Sequence, residues 1–133
     1  CRTQRLPPAS TKKPGVPSSR PLQRFRDILD NIEAIELYVG GLDGARFRAD
    51  QKTRDACERC LMRISEAAAK LGAEAESLGP DFPWADVRGL GNHLRHAYDR
   101  VDAQILWEVI SGDLPRLKAV CRSAIAILED RLT

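Results

Sequence analysis

Residues 84–102 read WADVRGLGNHLRHAYDRVD, and this stretch holds both histidines of the 133-residue chain together with Tyr98, Arg88, Arg95 and Arg100. Set on a helix at about 100° per residue, Val87, Leu90, Leu94, Ala97 and Val101 fall on one arc, while Arg88, Asn92, Arg95, His96 and Asp99 gather on the opposite one. One face is a core stripe and the other is polar. The polar face contains neither Lys nor Glu, the residues of an ordinary solvated surface, and has instead Arg, Asn and His, which suit phosphate contact and proton transfer. Gly89 and Gly91 lie in the helix interior, where each costs about 1 kcal/mol relative to Ala. A second helix or a ligand is therefore expected to approach that backbone closely.

Outward from this helix the same periodicity continues in both directions. Leu22, Phe25, Ile28, Leu29, Ile32, Ile35 and Val39 form a stripe that Gly40-Gly41 ends. After an Asp43-Gly44 turn and a short piece around Phe47, Asp50 is placed to cap a long helix with Thr53, Ala56, Cys60, Leu61, Ile64, Ala68 and Leu71 inside, stopped near Gly72. Gly79-Pro80 and Phe82-Pro83 make 78–83 a loop, and Pro83 suits the first turn of the helix that starts near Trp84. Asp102 caps a fourth helix with Ile105, Leu106, Val109 and Ile110, ended by Gly112. Asp113 caps a fifth, with Leu117, Val120, Cys121, Ala124, Ile125 and Leu128 inward. No period-two pattern appears, so the fold expected is an all-α antiparallel bundle of four to five helices.

Residues 1–20 contain Arg2, Arg5, Lys12, Lys13 and Arg20, no acid and four prolines, and read as a disordered basic tail ahead of a helical domain over 21–133. Without those five cations, 16 of the 21 basic residues remain against 19 acidic ones, so overall charge gives no reason to expect nucleic acid. The absence of an initiator Met before Cys1 reads as a fragment, a processed form or a misassigned start; an acylated lipoprotein cysteine would need a signal region that is not present. No run approaches the roughly 18 apolar residues of a membrane span, and the expected address is the cytoplasm. Cys57-Glu-Arg-Cys60 lies inside a helical pattern without a second ligand pair, so buried thiols are expected and neither a metal nor a cofactor is called for.

The order Pro83-Trp84, Gly91-Asn92-His93-Leu94-Arg95-His96-Ala97-Tyr98, Val101-Asp102, Trp107 and Asp113-Leu114-Pro115 resembles the HepT-like toxins of the HEPN superfamily. Ile64-Ser65-Glu66-Ala67-Ala68 looks like their I-G-E-A-A segment, and the likeness runs from about Pro21 to Leu128. The resemblance implies a homodimer with its third helices facing across a cleft, and a metal-independent endoribonuclease acting on RNA. It also implies a partner, a small MntA-like nucleotidyltransferase antitoxin that silences the toxin by attaching AMP to a tyrosine. The motif implied is Arg, four to six residues, His, one residue, Tyr, with the His in the acid/base steps and the Arg stabilising charge on phosphate.

Carried over position by position, His96 and Tyr98 match the His-x-Tyr end, Asn92 matches the polar residue after the Arg, and the Arg slot holds Gly91. Tyr98 becomes the AMP acceptor. Arg95 and Arg88 are the candidate substitutes for the missing guanidinium, and Arg95 is preferred because helical side chains lean toward the N-terminus, over Gly91. Arg88 and His93 also have Arg-x4-His spacing, but that register puts Arg95 where Tyr is expected. Two other readings stand beside the toxin: a non-catalytic subunit that presents a binding surface to the transferase, which the empty Arg slot favours, and a helical dimer whose third helix only packs.

Overall fold

A computed structural model of the chain describes residues 20–95 and 102–132, with residue 95 described by its backbone alone. The described residues form α1 (Arg20–Val39), α2 (Gly44–Ala49), α3 (Gln51–Leu71), α4 (Ala73–Leu78), α5 (Trp84–Arg95), α6 (Ala103–Glu108), a π-helical segment (Val109–Asp113) and α7 (Leu114–Leu132). They contain no strand. The all-α bundle expected from the periodicity is the fold observed. The predicted tail lies outside the described residues except Arg20, which opens α1.

The caps form where short polar side chains precede apolar stripes. Asp50 accepts from the Thr53 amide at 3.0 Å, and its other oxygen receives the Thr53 hydroxyl at 2.8 Å. Asp102 accepts from the Gln104 amide at 2.8 Å. Each satisfies donors that the first turn leaves without helical partners. Gly72, with φ of +56°, ends α3 in a conformation that a side chain disfavours.

The long helices meet along their stripes. α3 packs on α1 and on α5, while α7 covers another side of α1. Phe25, Ile28, Ile32 and Ile35 of α1, Cys57, Leu61 and Ile64 of α3, and Leu117, Cys121 and Ala124 of α7 are buried in one core. Each large side chain there contributes about 1.5–3 kcal/mol by leaving water. Lys118 holds Glu36 at 2.9 Å near one end of the α1–α7 pair, and Arg26 pairs with Glu129 at the other, so the two helices run antiparallel.

The structure departs from the sequence reading in three places. Ala73–Leu78 is a short helix that the periodicity did not announce, since it buries only Ala75. Gly112 does not end a helix, and Asp113 does not cap one. The chain runs through Val109–Asp113 as a π-turn, and Leu114 continues it in helical conformation. Leu106, Ile110 and Leu114 are all buried, so one face stays on the core through this segment. The predicted inward face of α7 is otherwise as found, with Val120 and Ile125 partly buried at its margin.

Candidate functional site

Helix α5 is anchored by its first residue. Trp84 is buried and its indole Nε1 donates to the Gly79 carbonyl at 2.8 Å, while Phe25 meets it edge-on at a centroid distance of 6.1 Å. The Gly79 backbone has to come this close. A Cβ at position 79 would lie 2.7 Å from Val120 Cγ1.

Beyond Trp84 the helix divides by face. Val87 and Leu90 are half-buried and Leu94 is buried against the core, as the wheel predicts. Ala85, Asp86, Gly89, Asn92 and His93 are exposed. Gly89 has open space where a side chain would project, so the middle of this face is smooth. Gly91 lies on the other side, buried, and donates its amide to Ser65 Oγ of α3 at 2.9 Å. The two glycines expected to mark close approach therefore differ: Gly91 meets a second helix, and among the described residues nothing lies where a side chain at Gly89 would project.

Arg88, placed on the polar arc by the wheel, is turned toward the protein. Its Nη1 and Nη2 each stand 2.8 Å from an oxygen of Glu76, Nη2 also donates to the Gly72 carbonyl at 2.8 Å, and Nε reaches the Ala68 carbonyl at 3.3 Å. Carbonyls at the end of α3 carry partial negative charge, so a cation there is stabilised as well as bonded. The hydrogen bonds from Arg88 hold Glu76 below the usual carboxylate range, and Glu76 in turn raises the guanidinium. With these partners Arg88 fastens α5 to α3 and α4.

Asn92 and His93 stand on the exposed face. The backbone of Arg95 closes α5, and its side chain, His96 and Tyr98 lie outside the described residues. The proposed substitution of Arg95 for the missing guanidinium is thus not located. The position it was to fill is: the buried side of α5 at Gly91 is occupied by the Ser65 hydroxyl.

An apolar cavity of about 150 Å³ opens beneath the first half of α5, between Leu61 and Ile64 of α3, Val87 and Leu90 of α5, and Leu114 and Leu117 of α7. Hydrocarbon lines it apart from Asp86 and Asp113, and among the described residues no cation or hydroxyl reaches it. Among the described residues no three His, Cys, Asp or Glu side chains gather to hold a metal ion. The thiols of Cys57, Cys60 and Cys121 are buried and unpaired with one another. Burial pushes Cys57 and Cys121 up to about 12 each, which keeps them protonated and inert. No helix among the described residues is long and apolar enough to cross a membrane.

An all-α bundle that presents Asn92 and His93 on one exposed face of α5, with His96-Ala97-Tyr98 next in the sequence, is the class of protein that fold and site define. Comparison with known proteins narrows the class. Residues 28–124 match the family model described as ribonuclease HepT-like. A protein of Thermococcus cleftensis named a probable ribonuclease HepT is 35% identical over 94 residues, 71% of this chain and 86% of that one. A candidate RNase of Methanocaldococcus jannaschii is 29% identical over 102 residues, covering 76% of this chain and 94% of the relative. Another, from Caldanaerobacter subterraneus, is 30% identical over 98 residues, 74% and 88% of the two chains. No solved structure matches. The chain belongs to the HepT-like ribonuclease family of the HEPN superfamily.

Proposed function

We propose that the protein is the toxin of a toxin–antitoxin pair, a homodimeric endoribonuclease whose exposed α5 faces form the RNA cleft and whose antitoxin is an MntA-like nucleotidyltransferase. The observation that carries this reading is the smooth exposed face of Gly89, Asn92 and His93, which leads into Arg95-His96-Ala97-Tyr98 in a HepT-like chain. A helix face with open space at a glycine suits a symmetric helix-to-helix contact, in which two backbones approach without intervening side chains. His96 takes the 2′-hydroxyl proton as that oxygen attacks the adjacent phosphorus, and the 5′-oxygen leaves with a proton from an acid group. Arg95 stabilises the charge on the phosphate oxygens, Asn92 contacts the backbone, and Tyr98 accepts AMP. Arg88 supports the helix from behind.

Expression with and without His96→Ala and Arg95→Ala, followed by growth and RNA integrity, tests the cleavage. Full toxicity of the His96 variant removes that residue from the mechanism. Incubation with an active MntA-like nucleotidyltransferase and ATP, then intact-mass measurement, tests the pairing: AMP-sized increments on Tyr98 are expected, and an unchanged mass overturns it.

A second reading has its own observation. Gly91 holds the Arg slot and is buried, which favours a non-catalytic subunit that binds the transferase. Purified protein that leaves varied RNAs intact while forming a stable complex with the transferase selects that reading.

A further inference from the structure

Ser65 is the buried polar side chain of the described core, about 3% exposed. A hydroxyl removed from water needs partners, and both of its partners are backbone groups of α5. Ser65 Oγ donates to the Arg88 carbonyl at 2.9 Å and accepts from the Gly91 amide at 2.9 Å. These groups lie three residues apart, so the hydroxyl rests on a single turn of α5. Such contact between a side chain and a neighbouring helix backbone requires the turn to carry little bulk, and Gly91 supplies that.

The segments this chain resembles have Gly in I-G-E-A-A, where it has Ser65, and an Arg ahead of the His-x-Tyr motif, where it has Gly91. They touch in the fold. We infer that the two departures are one structural unit: the Ser65 hydroxyl and the Gly91 backbone lock the rotation and height of α5 on α3, which makes Ser65 a positioning residue for the face bearing Asn92 and His93. Gly91 is buried, so an Arg placed there alone would bring a charged side chain into the contact between α5 and α3. The catalytic consequence of the lock rests on the ribonuclease reading; the lock itself does not.

The chain has only two histidines, so their ring signals in NMR spectra report on α5 whether or not RNA is cleaved. In Ser65→Ala, with Tm recorded to verify folding, the Gly91 amide is expected to exchange on the order of tenfold faster and the histidine signals to move. If the wild-type protein cleaves RNA, kcat falls by on the order of 10- to 100-fold in this variant while KM stays within about twofold. Gly91→Arg alone is expected to misfold or lose the lock, and Ser65→Gly combined with Gly91→Arg to recover a cooperative melt. Unchanged Gly91 exchange and unchanged histidine signals in Ser65→Ala overturn the lock. Wild-type protein without cleavage, joined to altered exchange in Ser65→Ala, overturns the ribonuclease reading and leaves the lock standing.

Discussion

Arg88 grips Glu76 with two nitrogens, each 2.8 Å from a different carboxylate oxygen, and with the same side chain covers the carbonyls of Ala68 and Gly72 at the end of α3. A planar fork meets this geometry and a lysine ammonium does not. Arg88→Ala and Arg88→Lys are each expected to lower Tm by on the order of 5 °C in thermal melts, with Glu76→Gln lowering it less, since the carbonyl bonds survive. A role for Arg88 in holding RNA predicts otherwise: RNA affinity lost in Arg88→Ala beyond what Glu76→Gln loses.

Acid weakens the same junction. Hydrogen bonds from Arg88 depress Glu76, and hydrogen bonds from the Thr53 amide and hydroxyl depress Asp50, so the unfolded chain takes up protons at higher pH than the folded one. Their contribution is complete above the ordinary values of 4.5 and 3.8 and is lost as pH falls through the lower folded ones. Glu58, pushed up by burial, acts in the opposite sense. The Tm difference between wild type and Glu76→Gln is expected to be full at neutral pH and to vanish once the carboxyl is protonated; a difference independent of pH contradicts this.

Gly79→Ala places a methyl 2.7 Å from Val120 Cγ1 and 3.3 Å from the Trp84 indole nitrogen. Both neighbours are held by the core, so a loss of about 1–3 kcal/mol in denaturant titration is expected. Wild-type stability would mean that the 78–83 loop can retreat from Val120.

Gly89→Ala is the contrasting experiment. The new methyl meets nothing among the described residues and the helix gains about 1 kcal/mol of propensity, so dilute protein should melt higher. Under the proposed dimer, the same methyl enters the contact between subunits. Sedimentation is then expected to show weaker association, and unchanged association places the dimer contact away from Gly89.

The cysteines give a probe of global opening. With Cys57 and Cys121 fully buried and pushed up to about 12, a thiol reagent at neutral pH should modify them only through unfolding. Their rates should follow denaturant together, and a fast Cys57 reaction in native buffer would reveal local opening of α3.

The long stripes of α1 and α3 were legible because burial imposes the helical period on strongly apolar residues, and Asp50 and Asp102 were legible because short acids directly precede those stripes. α4 was not, since only Ala75, buried, and Leu78, partly buried against the core, face inward, too few to carry a period. At the site, the wheel placed Asn92 on the exposed side, but it put Arg88 there too. A wheel knows the azimuth of a residue and nothing of its neighbours; the end of α3 and Glu76 rise to meet Arg88 and turn it inward. Ser65 gave still less warning, because a small polar residue on a buried stripe looks the same in sequence whether or not it bonds another helix.

The π-turn at Val109–Asp113 sets an angle. One residue more or fewer lengthens a helix by only about 1.5 Å but rotates everything beyond it by about 100°. α6 faces α2 before the turn and α7 faces α1 after it, with Leu117, Cys121, Ala124 and Leu128 aimed at the core. Leu106, Ile110 and Leu114 carry the buried stripe through the wide turn into α7, and removing Gly112 would rotate a correctly formed α7 by about 100°, swinging Leu117, Cys121, Ala124 and Leu128 off the core.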